Sequence, residues 1–167
     1  TDNTDSNGLP PHSIAAIVEG GDATVIANSI RGVKGQGVTP YGSTVIVVPD
    51  KYGNPHPVGF SRPVDVPIYV KITIEPLTGY TSQVGEEIKA AISSYINSLA
   101  IGASVLLSRV YSPANLGVVS GGNARYYDIT ELLIGTSSAG VAATNIVIAF
   151  DHSASCRVAD INLEVSV

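Results

Sequence analysis

The chain reads as an α+β protein of two small tandem modules, each a mixed or antiparallel sheet with one main amphipathic helix. Three observations predict this. A strand-helix-strand-strand order occurs in the first half and returns in the second. Residues 68–75 alternate apolar and polar side chains with period two, as a half-buried strand does. Two further stretches place apolar residues at helical spacing behind a capping residue. The expected organisation is a linker over 1–11, entering from a missing N-terminal region, a first module over 12–63 and a second over 66–167. "TDNTDSNG" has linker composition, and the absence of methionine, at position 1 as elsewhere, fits a piece of a longer protein.

The elements follow in order. "SIAAIVE" (13–19) is apolar enough for a buried strand, and Pro10 and Pro11 keep the chain before it out of the ladder. Asp22 is placed to cap a helix, on which Ile26, Ile30 and Val33 form one face. Lys34 in the last turn and Gly35 after it are expected to close that helix. "GQGVTPYG" reads as a loop, "STVIVVPD" as a strand, 50–54 as a turn and "HPVGFSRP" as the returning strand. Pro63 and Pro67 bracket an expected hinge before "PIYVKITIEPL". Thr81 or Ser82 then caps a second helix, with Glu86 and Glu87 in its first turn and a stripe of Val84, Ile88, Ile92, Tyr95, Ile96 and Leu99. Gly102 is expected to end it. "ASVLLSRVYSPANLGVV" is open between a short helix starting near Pro113 and a longer one broken there. "YYDITELLIG", "TNIVIAFD" and "RVADINLEVSV" read as strands. Parallel βαβ units stay open, although the hairpins favour mixed or antiparallel sheets.

Composition narrows the function classes. With 44% hydrophobic and 14% charged residues, the 167-residue chain is neither disordered nor too short to bury a core. Net charge is −5 and the nine Lys and Arg are scattered singly, so no basic stripe awaits nucleic acid. Cys156 stands alone and makes no internal disulfide. Residues 132–150 run without a charge over a bilayer-spanning length, but "GTSSAGVAAT" in their middle fits strand, turn, strand, so no membrane span is expected.

Motifs for chemistry are sparse. Gly20, Gly21 and Asp22 sit where a phosphate cradle would, yet neither G-x-G-x-x-G nor G-x-x-x-x-G-K-[ST] is present, and Asp22 would repel phosphate. His12, His56 and His152 are far apart with no ligand at metal spacing, so no metal site is expected. "DHSASC" (151–156) gathers acid, base and nucleophile, but neighbours on a strand point to opposite faces, and a turn between the last two strands accounts for them. No catalytic residue and no cofactor are expected. "KGQG" and "SGGNAR" read as flexible loops. Eight tyrosines against two Phe and no Trp suit interfaces, while core or rim placement suits half of them equally well.

The stretch "GLPPHSIAAIVEGGDATVIANSIRGVKGQGVTPYG" nevertheless resembles the baseplate J-like family, wedge proteins of contractile bacteriophage tails and related injection machines. The likeness rests on Gly8, Pro11-His12-Ser13, Gly20-Gly21, Ile26-Ala27 with Ile30, Lys34 with Gly37, and Gly42. It continues through "VGFSRP" with Arg62 and Pro63, "PIYVKITI", an amphipathic helix and "LLSRVYSPA". It covers nearly the whole chain and corresponds to the C-terminal half of a typical member. Where members often carry Val-Pro-Gly-Val, this chain has "NLGVVSGGNA". The resemblance implies a non-enzymatic structural part of the baseplate ring around the tail hub. Its implied partners are other wedge subunits and copies of itself, with no small-molecule substrate, and its implied location is the virion tail baseplate, assembled in the bacterial host cytoplasm. It also implies that Gly20 and Gly21 shape the strand-to-helix turn, and that His12 and Ser13 fix the path of the chain into the sheet. Two readings compete: a glycan- or receptor-binding module of a tail tip using Gly/Ser/Asn-rich loops, and a small hydrolase built on His152 and Cys156.

Overall fold

The computed structural model describes residues 3–117 and 126–166. The chain divides into two compact units, 1–63 and 64–167. Helices and several small sheets alternate along it, and the α+β class holds.

In the first unit, β1 (Ser13–Ala15) is followed by α1 (Ala23–Val33) and then by β2 (Thr39–Tyr41), which pairs parallel with β1. The strand expected over 13–19 is therefore only three residues long. It continues as one parallel bridge, Ile17 to Ser61, because beyond Ala15 the chain is already turning toward the helix. The loop expected over "GQGVTPYG" holds β2 within it; a strand of three residues with a central proline carries no alternation to betray it. β3 (Thr44–Pro49) and β4 (Pro55–Phe60) form an antiparallel hairpin. Asp50 builds its turn: one carboxylate oxygen accepts from the Tyr52 and Asn54 amides at 2.8 and 2.9 Å, the other from Asn54 Nδ2 at 3.1 Å.

α1 begins as its cap predicts. Asp22 Oδ1 accepts from the Thr24 and Val25 amides at 2.9 and 3.0 Å. Its inner face, however, is Ile26, Ala27 and Ile30, and Val33 is 86% exposed. Ala27 is fully buried in a small core with Val48 and Val58, flanked by Ile30 and Ile46. A face centred on positions 27 and 30 leaves position 33 well off the stripe at 100° per residue. Nor does Gly35 close the helix. Lys34 is the extended C-cap and its ammonium reaches the Val38 carbonyl at 3.1 Å, while the left-handed residue is Gly37.

In the second unit, β6 (Tyr69–Pro76) is the central strand of a three-stranded sheet. β7 (Tyr127–Gly135) runs antiparallel on one edge and β9 (Ile161–Val165) parallel on the other. The period-two pattern is met in full: Ile68, Val70, Ile72 and Ile74 are all buried. They face Ile88, Ile92 and Ile96 of α2 (Ser82–Asn97) in one core, which Val84 joins near the start of the helix. Glu86 and Glu87 fall past the first turn, since the helix starts at Ser82, and Thr81 caps by backbone position without a side-chain bond. The helix stops at Asn97, and Gly102, with φ +75°, belongs to the turn after it. α3 (Leu107–Ala114) carries Pro113 in its last turn, so the open choice falls to a helix that starts well before the proline.

Three further expectations change. The hinge between Pro63 and Pro67 is a strand, β5 (Val64–Pro67), paired parallel with β8 (His152–Ser155). "DHSASC" is accordingly mostly strand and not a turn. "TNIVIAFD" forms only an isolated bridge, Val105 to Ile146, because its exposed Val147 and Phe150 find no neighbouring strand. "SGGNAR" (120–125) and the end of "NLGVVSGGNA" lie outside the described residues. No helix among the described residues is long and apolar enough to cross a membrane.

Two glycines fix how closely the backbones of the first unit approach. A methyl group on Gly42 would fall on the Phe60 backbone, and one on Gly59 would lie 2.8 Å from both the Pro40 oxygen and the Gly42 nitrogen. Gly42→Ala should therefore destabilise the chain by about 2–4 kcal/mol, through backbone displacement and not lost burial. Gly32→Ala on the open face of α1 should be neutral or mildly stabilising, by about 0–1 kcal/mol. Urea unfolding of both variants followed by circular dichroism tests the contrast.

Candidate functional site

Three of the positions that carry the resemblance, Gly20, Gly21 and Arg62, meet at the connection between β1 and α1. Gly20 and Gly21 both adopt positive φ, +63° and +77°, a region that L side chains enter only with strain. Two consecutive residues of this kind swing the chain sharply and leave several carbonyls pointing outward. The guanidinium of Arg62, just beyond β4, receives them. Its Nη1 donates to the Val18 carbonyl at 3.0 Å and also to that of Gly20, and its Nη2 donates to Gly21 at 2.8 Å. The same guanidinium lies 5.2 Å from the ring centroid of Phe60, which is fully buried. A planar fork of donors suits this task; an ammonium on a flexible stem would not span three carbonyls.

Around this bend the other expected positions do separate work. His12 has φ +56°, rare for a residue with a Cβ, and its carbonyl accepts from the Thr39 amide at 2.9 Å, the first link of the β1–β2 ladder. The Ser13 hydroxyl donates back to the Pro10 carbonyl at 2.5 Å. Pro11 precedes this strained residue. Ile26 lies half-buried over Gly21, 3.5 Å from where a Cβ there would stand. Lys34 and Gly37 shape the return to β2, Gly42 allows the close crossing described above, and Pro63 follows Arg62 at the end of the unit. Arg62 is the residue whose role the sequence concealed: nothing near it in the chain marks it as the partner of a turn more than forty positions earlier.

The members of the triad-like cluster are engaged with other groups. Cys156 is buried, and burial, reinforced by the charge of Asp160, pushes its thiol up to about 11. At neutral pH only about one molecule in 10⁴ would carry the thiolate. Its backbone is clasped by α2: the Cys156 amide donates to Asn97 Oδ1 at 2.9 Å, and its carbonyl accepts from Asn97 Nδ2 at 2.8 Å and the Ser93 hydroxyl at 2.7 Å. His152 Nδ1 is bound at 2.6 Å to its neighbour Asp151. Cys156, Ser93 and Asn97 form a joint between α2 and the end of β8. Among the described residues no three His, Cys, Asp or Glu are placed to hold a metal ion.

No family model matches the chain, and no curated protein matches it.

Two measurements follow. Arg62→Ala should lower the melting temperature by several degrees, and Arg62→Lys should recover only part of the loss; equal melting of both variants and the parent would refute the clamp. Native protein at pH 7 should resist iodoacetamide at Cys156 and react stoichiometrically in denaturant, as read by intact mass.

Proposed function

We propose that this chain is a non-enzymatic building block of a contractile-tail baseplate wedge, or of the equivalent ring in a related injection machine. It would associate with other wedge subunits and with copies of itself around the tail hub. What supports the reading is one observation. Gly20 and Gly21, and Arg62 some forty positions further on, meet at one bend, where Arg62 donates to the Val18, Gly20 and Gly21 carbonyls. A cluster that satisfies its own backbone in this way serves shape and offers little to a reacting substrate. The buried, weakly acidic thiol of Cys156 weighs in the same direction against nucleophilic chemistry. A ring that rearranges on contraction needs subunits whose local geometry survives while their contacts change, and a bend pinned by charge-assisted bonds meets that need.

Location is the test. Antibody raised against the chain and visualised by gold labelling of tail particles from the source strain should mark a ring at the end plate, below the sheath. Intact particles with accessible plates and no label, with the protein remaining free in the cell, would overturn the proposal.

A further inference from the structure

The first unit holds an open cleft of about 500 Å³ between α1 and the β3–β4 turn. It is lined by Asn28, Arg31 and Gly32 from the helix and by Asp50, Lys51 and Tyr52 from the turn. Helical spacing of i, i+3 and i+4 brings the first three to one face. Arg31 is fixed there because its Nη1 donates to the Val48 carbonyl at 3.4 Å and to that of Pro49. Those bonds leave its other N–H donors without a partner among the described residues. Lys51 has no acidic partner among them either, and its ammonium sits 4.9 Å from the Tyr52 ring centroid. Asn28 uses its Nδ2 on the Thr24 carbonyl at 2.8 Å and keeps its amide oxygen free to accept. Tyr52 is 77% exposed.

Asp50 is the acid in the cleft, and its oxygens are already engaged by Tyr52, Asn54 and His56. Its carboxylate is thus committed to holding Lys51 and Tyr52 in place. The remaining groups divide by type: a guanidinium anchored on backbone carbonyls, an ammonium beside the Tyr52 ring, one amide acceptor, and the exposed ring itself. An anion alone would use the cations and leave the ring idle. A neutral sugar would use the ring and the amide and leave two charges unanswered. We propose that this cleft binds an anionic saccharide, a pyranose carrying a carboxylate or phosphate. Arg31 and Lys51 take the charged group, Asn28 accepts from a hydroxyl, and the apolar face of the ring lies on Tyr52. The absent side chain of Gly32 keeps the floor open; nothing lies within 4 Å of where its Cβ would be.

This site is independent of the wedge reading, so gold labelling and ligand binding can fail separately. The full ¹⁵N-labelled chain is titrated at low salt with trigalacturonic acid, glucose 6-phosphate, inorganic phosphate and maltotriose, and amide shifts are followed by NMR. Saturable shifts at Arg31, Gly32, Lys51 and Tyr52 are expected with at least one of the two charged sugars, and which one binds identifies the anion. Lys51→Gln should weaken binding at least tenfold. Gly32→Leu should abolish it by filling the cleft, while helix content is kept or raised. Tyr52→Ala should reduce the charged sugars' affinity and leave inorganic phosphate unaffected. Maltotriose binding as tightly as the charged sugars would overturn the anionic assignment, and inorganic phosphate matching them would overturn the saccharide. Absence of localised shifts with both charged sugars, or undiminished binding in Gly32→Leu, would overturn the site itself.

Discussion

The first unit depends on one guanidinium. Two adjacent glycines in left-handed geometry turn the chain from β1 into α1, and such a bend holds its direction only if the carbonyls it exposes are satisfied. Arg62 satisfies three of them at once, from the far end of the hairpin. The bond set therefore joins the beginning of the unit to its end. It sets where α1 starts, hence which residues of α1 meet Val48 and Val58 in a core too small to tolerate a misplaced helix. Hydrogen bonds from a charged donor are among the stronger ones, about 1.5–3 kcal/mol each.

The second unit works by a different economy. Its core is large and aliphatic, and β6 lies at its centre with partners on both edges, so burial dominates. Polar groups intervene where the parallel pairing is interrupted. β5 with β8 and β6 with β9 form two stretches of parallel pairing separated at 156–160, where the chain leaves the ladder for a turn of 3-10 helix (Val158–Asp160). The backbone groups set loose at Cys156 are taken up by Ser93 and Asn97 of α2. Outside the core, Arg157 and Asp160 close that turn with a side-chain pair at 2.8 and 2.9 Å.

How much of this was legible depended on whether the cause was local. The α+β class, the Asp22 cap, the turn at 50–54, the alternation in β6 and the buried stripe of α2 each follow from neighbours in the chain. β2, β5 and β8 did not show, because strands of three or four residues owe their existence to a partner elsewhere and carry no period of their own. "TNIVIAFD" misled for the converse reason: it has the right composition but only the single bridge to Val105. At the candidate site, Gly20 and Gly21 were readable as a turn, whereas the reach of Arg62 to them was not. The cleft beside α1 was equally hidden, since Asn28 and Lys51 meet only after the hairpin has folded against the helix.

The close crossing of Gly42 and Gly59 bears on how such a chain can vary. At those two places identity is imposed by backbone touching backbone, and at Gly20, Gly21 and Arg62 by conformation and by the shape of a fork of donors. Nearly everywhere between them the geometry asks only for size and polarity. A chain could differ over long runs and still build this unit, provided that handful of isolated letters is kept. What a chain must keep to build this unit is a set of intervals, like the spacing of holes along a flute.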